Sequence, residues 1–590
     1  MLKRWCRRYG EIIAMALILF GFYGFSIKGL YGFVLFPDEF VYWSYAAKLC
    51  GYNWSDIVSL SSYFSYGYSL LLFPIFAVCK NAVEAYRIAV GLNFFLLLLA
   101  FICLAKTVKE LFPEKKNLTA LFCALALLFP GNLYYAQMTM TESLLFYLYV
   151  SAGSLLVTYL RNGKLSTLIL LMLTLMYSYM VHMRTVGVFL SGVAVLLFHI
   201  TLCGGKKKHI PVIIIITVLT FVIEDAVKEQ IMLTMYSGDI LGLAAKNDYS
   251  GQFEKIRYIF TRAGFYDFIV SILGKVLYLG LATYGLFYWG IYALTVQTVK
   301  MFKNLKAQIV PTAKQQFALF LGASALSEIG IATIYLLTLG EICDYTYGRY
   351  SVQIIPYIMV WGCIKLWKEK PNKVWIVTGI TAAAQMAVTM MVIRQIINTG
   401  AEVFYGSFLV GIGYLYDGRN FGVNNFFWGA YLFGELLTIL TILVILFCRS
   451  RRRKEYLAVL LVVLELVLAF RAGSIYLEPS RKGAFRDARL TEKLNMLQAK
   501  NRQQNVLDTE GRRVIYIDSS QLPFIGILQF MARDIDIQVI DRRALPEDYD
   551  KDITNEDIVI FAYDDEFMWK WTDRYAYQDI YGHFAVFYNE

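Results

Sequence analysis

Two adjacent carboxylates, Asp38 and Glu39, stand where an apolar stretch of about residues 12–35 gives way to Pro37 and an aromatic helix. A carboxylate at a membrane–water boundary can take a proton from a hydroxyl; it can equally cap a helix or sit solvated. Three further charged residues occupy comparable points. Glu142 lies in Thr139-Met140-Thr141-Glu142-Ser143, Arg184 in His182-Met183-Arg184-Thr185-Val186-Gly187, and Arg349 in Tyr347-Gly348-Arg349-Tyr350-Ser351. Arginine presents parallel N–H groups that fit the oxygens of a phosphate. The plainer alternatives are that Arg184 snorkels to lipid headgroups and that Thr139 or Thr141 caps a helix, with Glu142 at its N-terminal dipole. Glu341 and Asp344 are candidate metal or sugar ligands, or simply solvated acids, and His182 reads as an interfacial residue. No His, Cys and carboxylate spacing specifies a metal site.

The elements that hold these residues are membrane spans. Of 590 residues, 58% are hydrophobic and only 17% charged, which excludes a soluble globular protein. Apolar runs fall at about 12–35, 86–105, 118–137, 143–160, 166–181, 186–203, 210–224, 268–296, 316–339, 351–367, 374–397, 426–448 and 455–471, thirteen in all. Every second loop is basic, from Lys3, Arg4, Arg7 and Arg8 to Arg449 and Arg451–Lys454. By the positive-inside rule the N-terminus is cytoplasmic, and the four candidate loops face the other side of a plasma membrane. The net charge of +11 therefore belongs to membrane topology and gives no nucleic-acid partner. Nine scattered cysteines with no CxxC pair support neither a disulfide framework nor a zinc site.

The first external loop, residues 38–85, is read as two juxtamembrane helices. Phe40, Trp43, Ala46, Ala47 and Cys50 form the apolar face of the first, with Asp38 as its N-cap. The run from Tyr66 to Cys79 is too short to cross and forms the second. Trp54, Tyr63, Tyr66 and Tyr68 read as an interfacial aromatic belt. The Gly- and Tyr-rich stretch 398–425 reads as a loop over a cavity. Composition divides the chain at 471. Residues 472–590 form an extracytoplasmic α/β domain, with strands at Arg513 to Asp518, Ile535 to Ile540 and Ile558 to Ala562, and helices at Ala484 to Lys500 and Leu522 to Met531. Neither a GxGxxG nor a Walker sequence marks a nucleotide site there.

A span that ends in Asp38-Glu39, an aromatic surface helix and a second short helix resemble the GT-C glycosyltransferases, a group that includes protein O-mannosyltransferases and lipid A aminoarabinose transferases. The resemblance implies a polytopic α-helical fold of about thirteen spans. It also implies a donor sugar on a polyprenyl phosphate, an extracytoplasmic acceptor (protein, glycan or wall polymer), and transfer with inversion. Carried onto this sequence, it makes Asp38 the general base, with Glu39 supporting it, binding sugar or sharing a metal. Glu142 becomes a second acid, and Arg184, Arg349 and Tyr350 meet the lipid phosphate. It covers about residues 1–470. A secondary transporter or flippase is the alternative, which Glu328 and Glu435, inside or near spans, would serve. A polysaccharide polymerase or ligase is a third reading.

Overall fold

In hydrocarbon every backbone N–H and C=O must be paired within the chain, so long apolar runs fold as helices. The structure, a computed structural model, describes all residues except 1, 30–31, 34–35, 237–241, 243–251, 404–409, 414–421, 451–456, 487, 505–511, 519–521, 543–546, 548, 564–567 and 590. The first third of the chain folds as α1 (Leu2–Ser26), the first-loop helices α2 (Pro37–Leu49), α3 (Ser55–Val58) and α4 (Ser69–Val78), then α5 (Ala82–Leu111), α6 (Lys116–Leu127), α7 (Pro130–Tyr135), α8 (Glu142–Asn162) and α9 (Leu165–Val181). There follow α10 (Val186–Leu202), α11 (Ile210–Met235), α12 (Gln252–Ile259), α13 (Arg262–Ala282), α14 (Leu286–Lys306), α15 (Ala313–Leu336), α16 (Ile355–Lys368), α17 (Pro371–Thr399), α18 (Val410–Gly413), α19 (Gly422–Ser450) and α20 (Leu457–Ala472). Among the described residues ten helices are long and apolar enough to cross a membrane. The chain is a polytopic helical membrane protein.

Three of the thirteen expected spans are short helices. α9 has 17 residues and α6 has 12, the latter followed by α7. α16 has only 14, but a six-residue 3-10 helix, Arg349–Ile354, leads into it. At ~2.0 Å and ~1.5 Å per residue the two together reach across a bilayer core. The expected span 268–296 is not one helix. α13 ends at Ala282 and α14 starts at Leu286, separated by Tyr284 (φ 52°) and Gly285 (φ 75°). Thr283 Oγ1 accepts from Phe287 N (3.0 Å) and so starts the second half. The two halves still make one crossing. Asp267, early in α13, pairs with Gln395 near the end of α17, whereas Tyr292 in α14 lies under Lys365 and Lys373, which flank the α16–α17 turn. Half of the expected loop 398–425 lies outside the described residues.

The C-terminal domain adds α21 (Glu478–Arg486), α22 (Ala488–Gln504), α23 (Leu522–Met531) and five strands: β1 (Val514–Asp518), β2 (Ile537–Asp541), β3 (Ile558–Ala562), β4 (Tyr577–Tyr581) and β5 (Phe584–Tyr588). Sheet order is β2-β1-β3-β5-β4; β1 pairs in parallel with β2 and β3, and the β4–β5 hairpin joins antiparallel. The three expected strands and both helices are present, while the hairpin is an addition. Composition changes at 472, yet the secondary structure does not stop there. A π-helical turn, Gly473–Leu477, carries α20 on into α21.

This domain sits on the first loop. Arg533 donates to Cys79 O (2.6 Å), Phe76 O (3.3 Å) and Tyr52 Oη (3.1 Å), and its guanidinium lies 4.0 Å over the Phe76 ring. Trp54 Nε1 donates to Arg533 O, and Phe530 packs on Phe33 and Trp43. Sandwiched in this way, α2 differs from the expected surface helix: every side chain from Glu39 to Ala47 is buried, not one face. Trp54, Tyr63, Tyr66 and Tyr68 are likewise buried rather than forming an interfacial belt.

Candidate active site

Pro37 occupies the first turn of α2, and Phe36, in extended conformation (φ −99°, ψ 117°), is the N-cap. Asp38 is therefore inside the helix, with no capping bond, which corrects its expected N-cap role. Consecutive helical residues diverge by ~100°, so the two carboxylates of the pair face different surroundings. Asp38 Oδ2 accepts from Arg349 Nη2 at 2.7 Å. Glu39, fully buried, turns into the bundle. Its Oε2 accepts from Tyr86 Oη (2.8 Å), Thr139 N (2.8 Å) and Thr139 Oγ1 (2.7 Å). Trp43 Nε1 in turn donates to Thr139 Oγ1. Glu39 thus fixes α2 against α5 and the α7–α8 loop, away from the charged cluster that Asp38 joins.

Three more loop ends converge on Asp38. Glu142 is the first residue of α8, and Thr141 before it makes no side-chain cap. Its Oε1 accepts from Arg349 Nε at 2.6 Å and lies 3.5 Å from Arg184 Nη2. Arg184 belongs to the 3-10 turn Met183–Thr185 between α9 and α10, and His182 Nδ1 accepts from its backbone N–H. Arg349 opens the 3-10 turn before α16 and splits one guanidinium edge between two carboxylates, Nε to Glu142 and Nη2 to Asp38. Its approach depends on Gly348, because a Cβ there would stand 1.9 Å from the Tyr278 ring. Tyr350 lies beneath the Arg184 guanidinium at 4.4 Å and meets the rings of His182 (6.0 Å) and Tyr335 (5.9 Å).

Two acids and two arginines make the cluster neutral overall, and they differ in access. Side-chain exposure is 2% for Glu142 and 6% for each arginine, against 14% for Asp38. Among the described residues Asp38 Oδ1 has no partner, so one lone-pair-bearing oxygen stays available. Arg184 Nε and Nη1 and Glu142 Oε2 are buried without hydrogen-bond partners. A buried guanidinium with unused donors is costly unless an anion completes it. Arg184 lines a cavity of about 230 Å³ whose other walls include Tyr63, His182, Ile331, Tyr335 and Tyr350. Burial, with the charges of Arg184 and Arg349, holds the His182 imidazole well below its usual range, so it faces the cavity uncharged.

Among the described residues, no group of three His, Cys, Asp or Glu side chains is placed to hold a metal ion. Glu341 and Asp344 shape the loop that carries Arg349. Asp344 accepts from Leu339 N and Gly340 N, and Glu341 Oε2 from Cys343 Sγ. Buried Lys275 holds the same loop through Asp344 O (3.0 Å).

No family model matches the chain, and no curated protein matches it by sequence. Its architecture, however, matches solved structures. ArnT from Cupriavidus metallidurans bound to undecaprenyl phosphate aligns at a TM-score of 0.51 and 11% identity, over 98% of this chain and 98% of that one. The apo state of the same protein aligns at 0.50 and 13%, over 98% and 96%. The chain has the fold of these structures. The likeness expected for residues 1–470 in fact runs through the C-terminal domain, which the alignment includes. At such identity it speaks for the fold, and the site must be argued from its own geometry. That geometry brings Asp38, Glu142, Arg184, Arg349 and Tyr350 together and sets Glu39 behind them. Tyr42, buried beside Asp38 and Arg349, and Tyr335 are parts of the site that sequence reading did not single out. Tyr42 falls at the i+4 position from Asp38, a spacing that places it on the same helix face.

Proposed function

We propose that this chain is a plasma-membrane glycosyltransferase. It moves a monosaccharide from a polyprenyl-phosphate carrier to an acceptor hydroxyl on the extracytoplasmic side, where the C-terminal domain also lies. The observation that carries this reading is a buried arginine with two unused N–H donors on an apolar cavity, beside a more accessible carboxylate, in a fold shared with ArnT. A lipid phosphate needs the first, and activation of a hydroxyl needs the second.

In the proposed reaction the acceptor oxygen attacks the anomeric carbon from the face opposite the phosphate, and Asp38 takes the hydroxyl proton. The bond between the anomeric carbon and the phosphate oxygen breaks with its electron pair, leaving the lipid phosphate. Its added charge is met by Arg184 and Arg349, stacked about Tyr350. Glu142 aligns both guanidinium groups, and Glu39 holds the helix that presents Asp38. The orientation rests on the alternation of basic loops. The transporter reading draws on Glu328 and Glu435: Glu435 accepts from Gln385 and so serves a neighbouring side chain, whereas Glu328, buried in α15, has one oxygen without a hydrogen-bond partner among the described residues.

The test is purified protein in liposomes with a panel of polyprenyl-phosphate sugars and a crude cell-envelope acceptor. Transfer by the wild type and a drop of at least ~100-fold in Asp38→Asn, with donor binding retained, are the expected results. Full activity in Asp38→Asn would remove Asp38 as the base. Donor carried across the bilayer without sugar transfer would favour the transporter.

A further inference from the structure

A second cavity, about 840 Å³, opens where the first and last spans meet and shares no lining residue with the Asp38 cluster. Its lower wall is apolar: Phe470 of α20 stacks on Phe22 at 4.4 Å and meets Phe25 edge-on at 5.0 Å. Its upper rim is basic and includes Lys28, Arg481 and Lys482, with Glu478 the one acid in the lining. Glu478 pairs with Lys482 at 2.9 Å, and Arg481, which also feels the carboxylates of Glu39 and Glu478, makes no ion pair of its own among the described residues. Arg481 Nε and Nη2 are shielded from solvent yet have no hydrogen-bond partner among the described residues. Those two nitrogens form one edge of the guanidinium, the edge whose parallel N–H groups receive two oxygens of a single phosphate.

From this cleft we infer a binding site for an anionic phospholipid. Its acyl chains lie along Phe22, Phe25 and Phe470, its phosphate is held by the Nε–Nη2 edge of Arg481, and Lys28 supplies the second cation. An aromatic wall at membrane depth beneath a basic rim is what such a lipid needs and a water-soluble anion does not. The site is separate from Arg184 and Arg349, so it stands or falls independently of the proposed reaction.

The test uses the full chain in detergent and in nanodiscs, with native mass spectrometry and a fluorescent phosphatidylglycerol as probe. Wild type should retain phosphatidylglycerol in preference to phosphatidylethanolamine. Arg481→Gln should weaken it at least tenfold, while Arg184→Gln leaves it unchanged. Ser474→Trp, which fills the cleft without altering a charge, should displace the lipid too and covers the case in which Arg481→Gln fails to fold. Equal retention by wild type and both cleft variants would overturn the site. Equal competition by inorganic phosphate would overturn a lipid as its ligand. Loss of undecaprenyl phosphate instead of phosphatidylglycerol in Arg481→Gln would reassign the cleft to the carrier.

Discussion

Replacing Glu142 by Gln should separate anion binding from turnover. In the wild type one oxygen, Oε1, lies 2.6 Å from Arg349 Nε and 3.5 Å from Arg184 Nη2, with the side chain only 2% exposed. The amide keeps an acceptor for Arg349 but removes the charge, so two arginines remain against Asp38 alone. An anion held on the far side of Arg184 would lie roughly 9 Å from that oxygen, counting the 3.5 Å contact plus one guanidinium and one hydrogen bond. At an effective dielectric of about 20, two unit charges at about 9 Å repel by about 1.8 kcal/mol, so removing one tightens anion binding by about 20-fold. The same change leaves a buried guanidinium poorly compensated, which costs folding stability about 3–5 kcal/mol at most, and less if the amide keeps its hydrogen bond. The assay pairs displacement of a fluorescent polyprenyl phosphate with sugar transfer, both in liposomes, and a thermal-unfolding control in detergent. Tighter lipid-phosphate binding with slower transfer is the expected pair. Weaker binding by a variant that unfolds at a near-normal temperature would refute the charge argument, because it would mean that Glu142 serves only to aim the arginines.

Other expectations follow from single contacts. His182 is held below its usual pKa by burial and by Arg184 and Arg349. The unfolded chain therefore takes up the proton first, and stability falls as pH drops through ~6.5, by at most about 1.4 kcal/mol per unit. Thermal unfolding between pH 7.5 and 5.5 should show that slope reduced in His182→Gln; an identical slope would mean His182 is not its source. Gly348→Ala places a methyl 1.9 Å from the Tyr278 ring and should cost about 1–3 kcal/mol, with transfer falling further because Arg349 is adjacent; normal transfer would show that the turn adapts. Arg533→Ala removes a charged hydrogen bond to Cys79 O, worth about 1.5–3 kcal/mol. Hydrogen exchange should then quicken in α2 and α23 while α8 is unchanged, and uniform protection would mean that Phe530 and Trp54 suffice to dock the domain.

The gathering of charges was legible because it obeys a counting rule. Asp38, Glu142, Arg184 and Arg349 each sit at a loop that the alternation of basic segments puts on one side, and the structure draws all four into contact. What spacing did not give was direction. Nothing in the letters Asp38-Glu39 says which carboxylate turns toward the arginines; that depends on where Pro37 starts the helix and on a tyrosine 47 positions later. The break between α13 and α14 was hidden for a similar reason. The apolar run continues unbroken through Tyr284, and hydropathy is blind to a left-handed residue. The burial of α2 was missed because its expected apolar face, Phe40 and Trp43, is covered by a domain nearly five hundred residues away in sequence, while Glu39 and Tyr45 on its other faces meet Tyr86 and Tyr236. The central strands, by contrast, announced themselves as Val- and Ile-rich runs, whereas Tyr577–Tyr581 alternates exposed and half-exposed side chains and gave no such signal.

The single oxygen of Glu39 that receives Tyr86, Thr139 N and Thr139 Oγ1 has a consequence for how this protein can vary. Positions 39, 86 and 139 form a lock with one key. An amide at 39 would keep one acceptor oxygen for the three donors but lose the charge that strengthens those bonds, and a phenylalanine at 86 or a valine at 139 would strip the acceptor of a partner in a place water does not reach. Changes there are tolerable only in matched sets. A redesign that aims to retune the helix bearing Asp38 must treat these three residues as one unit, inherited or replaced together.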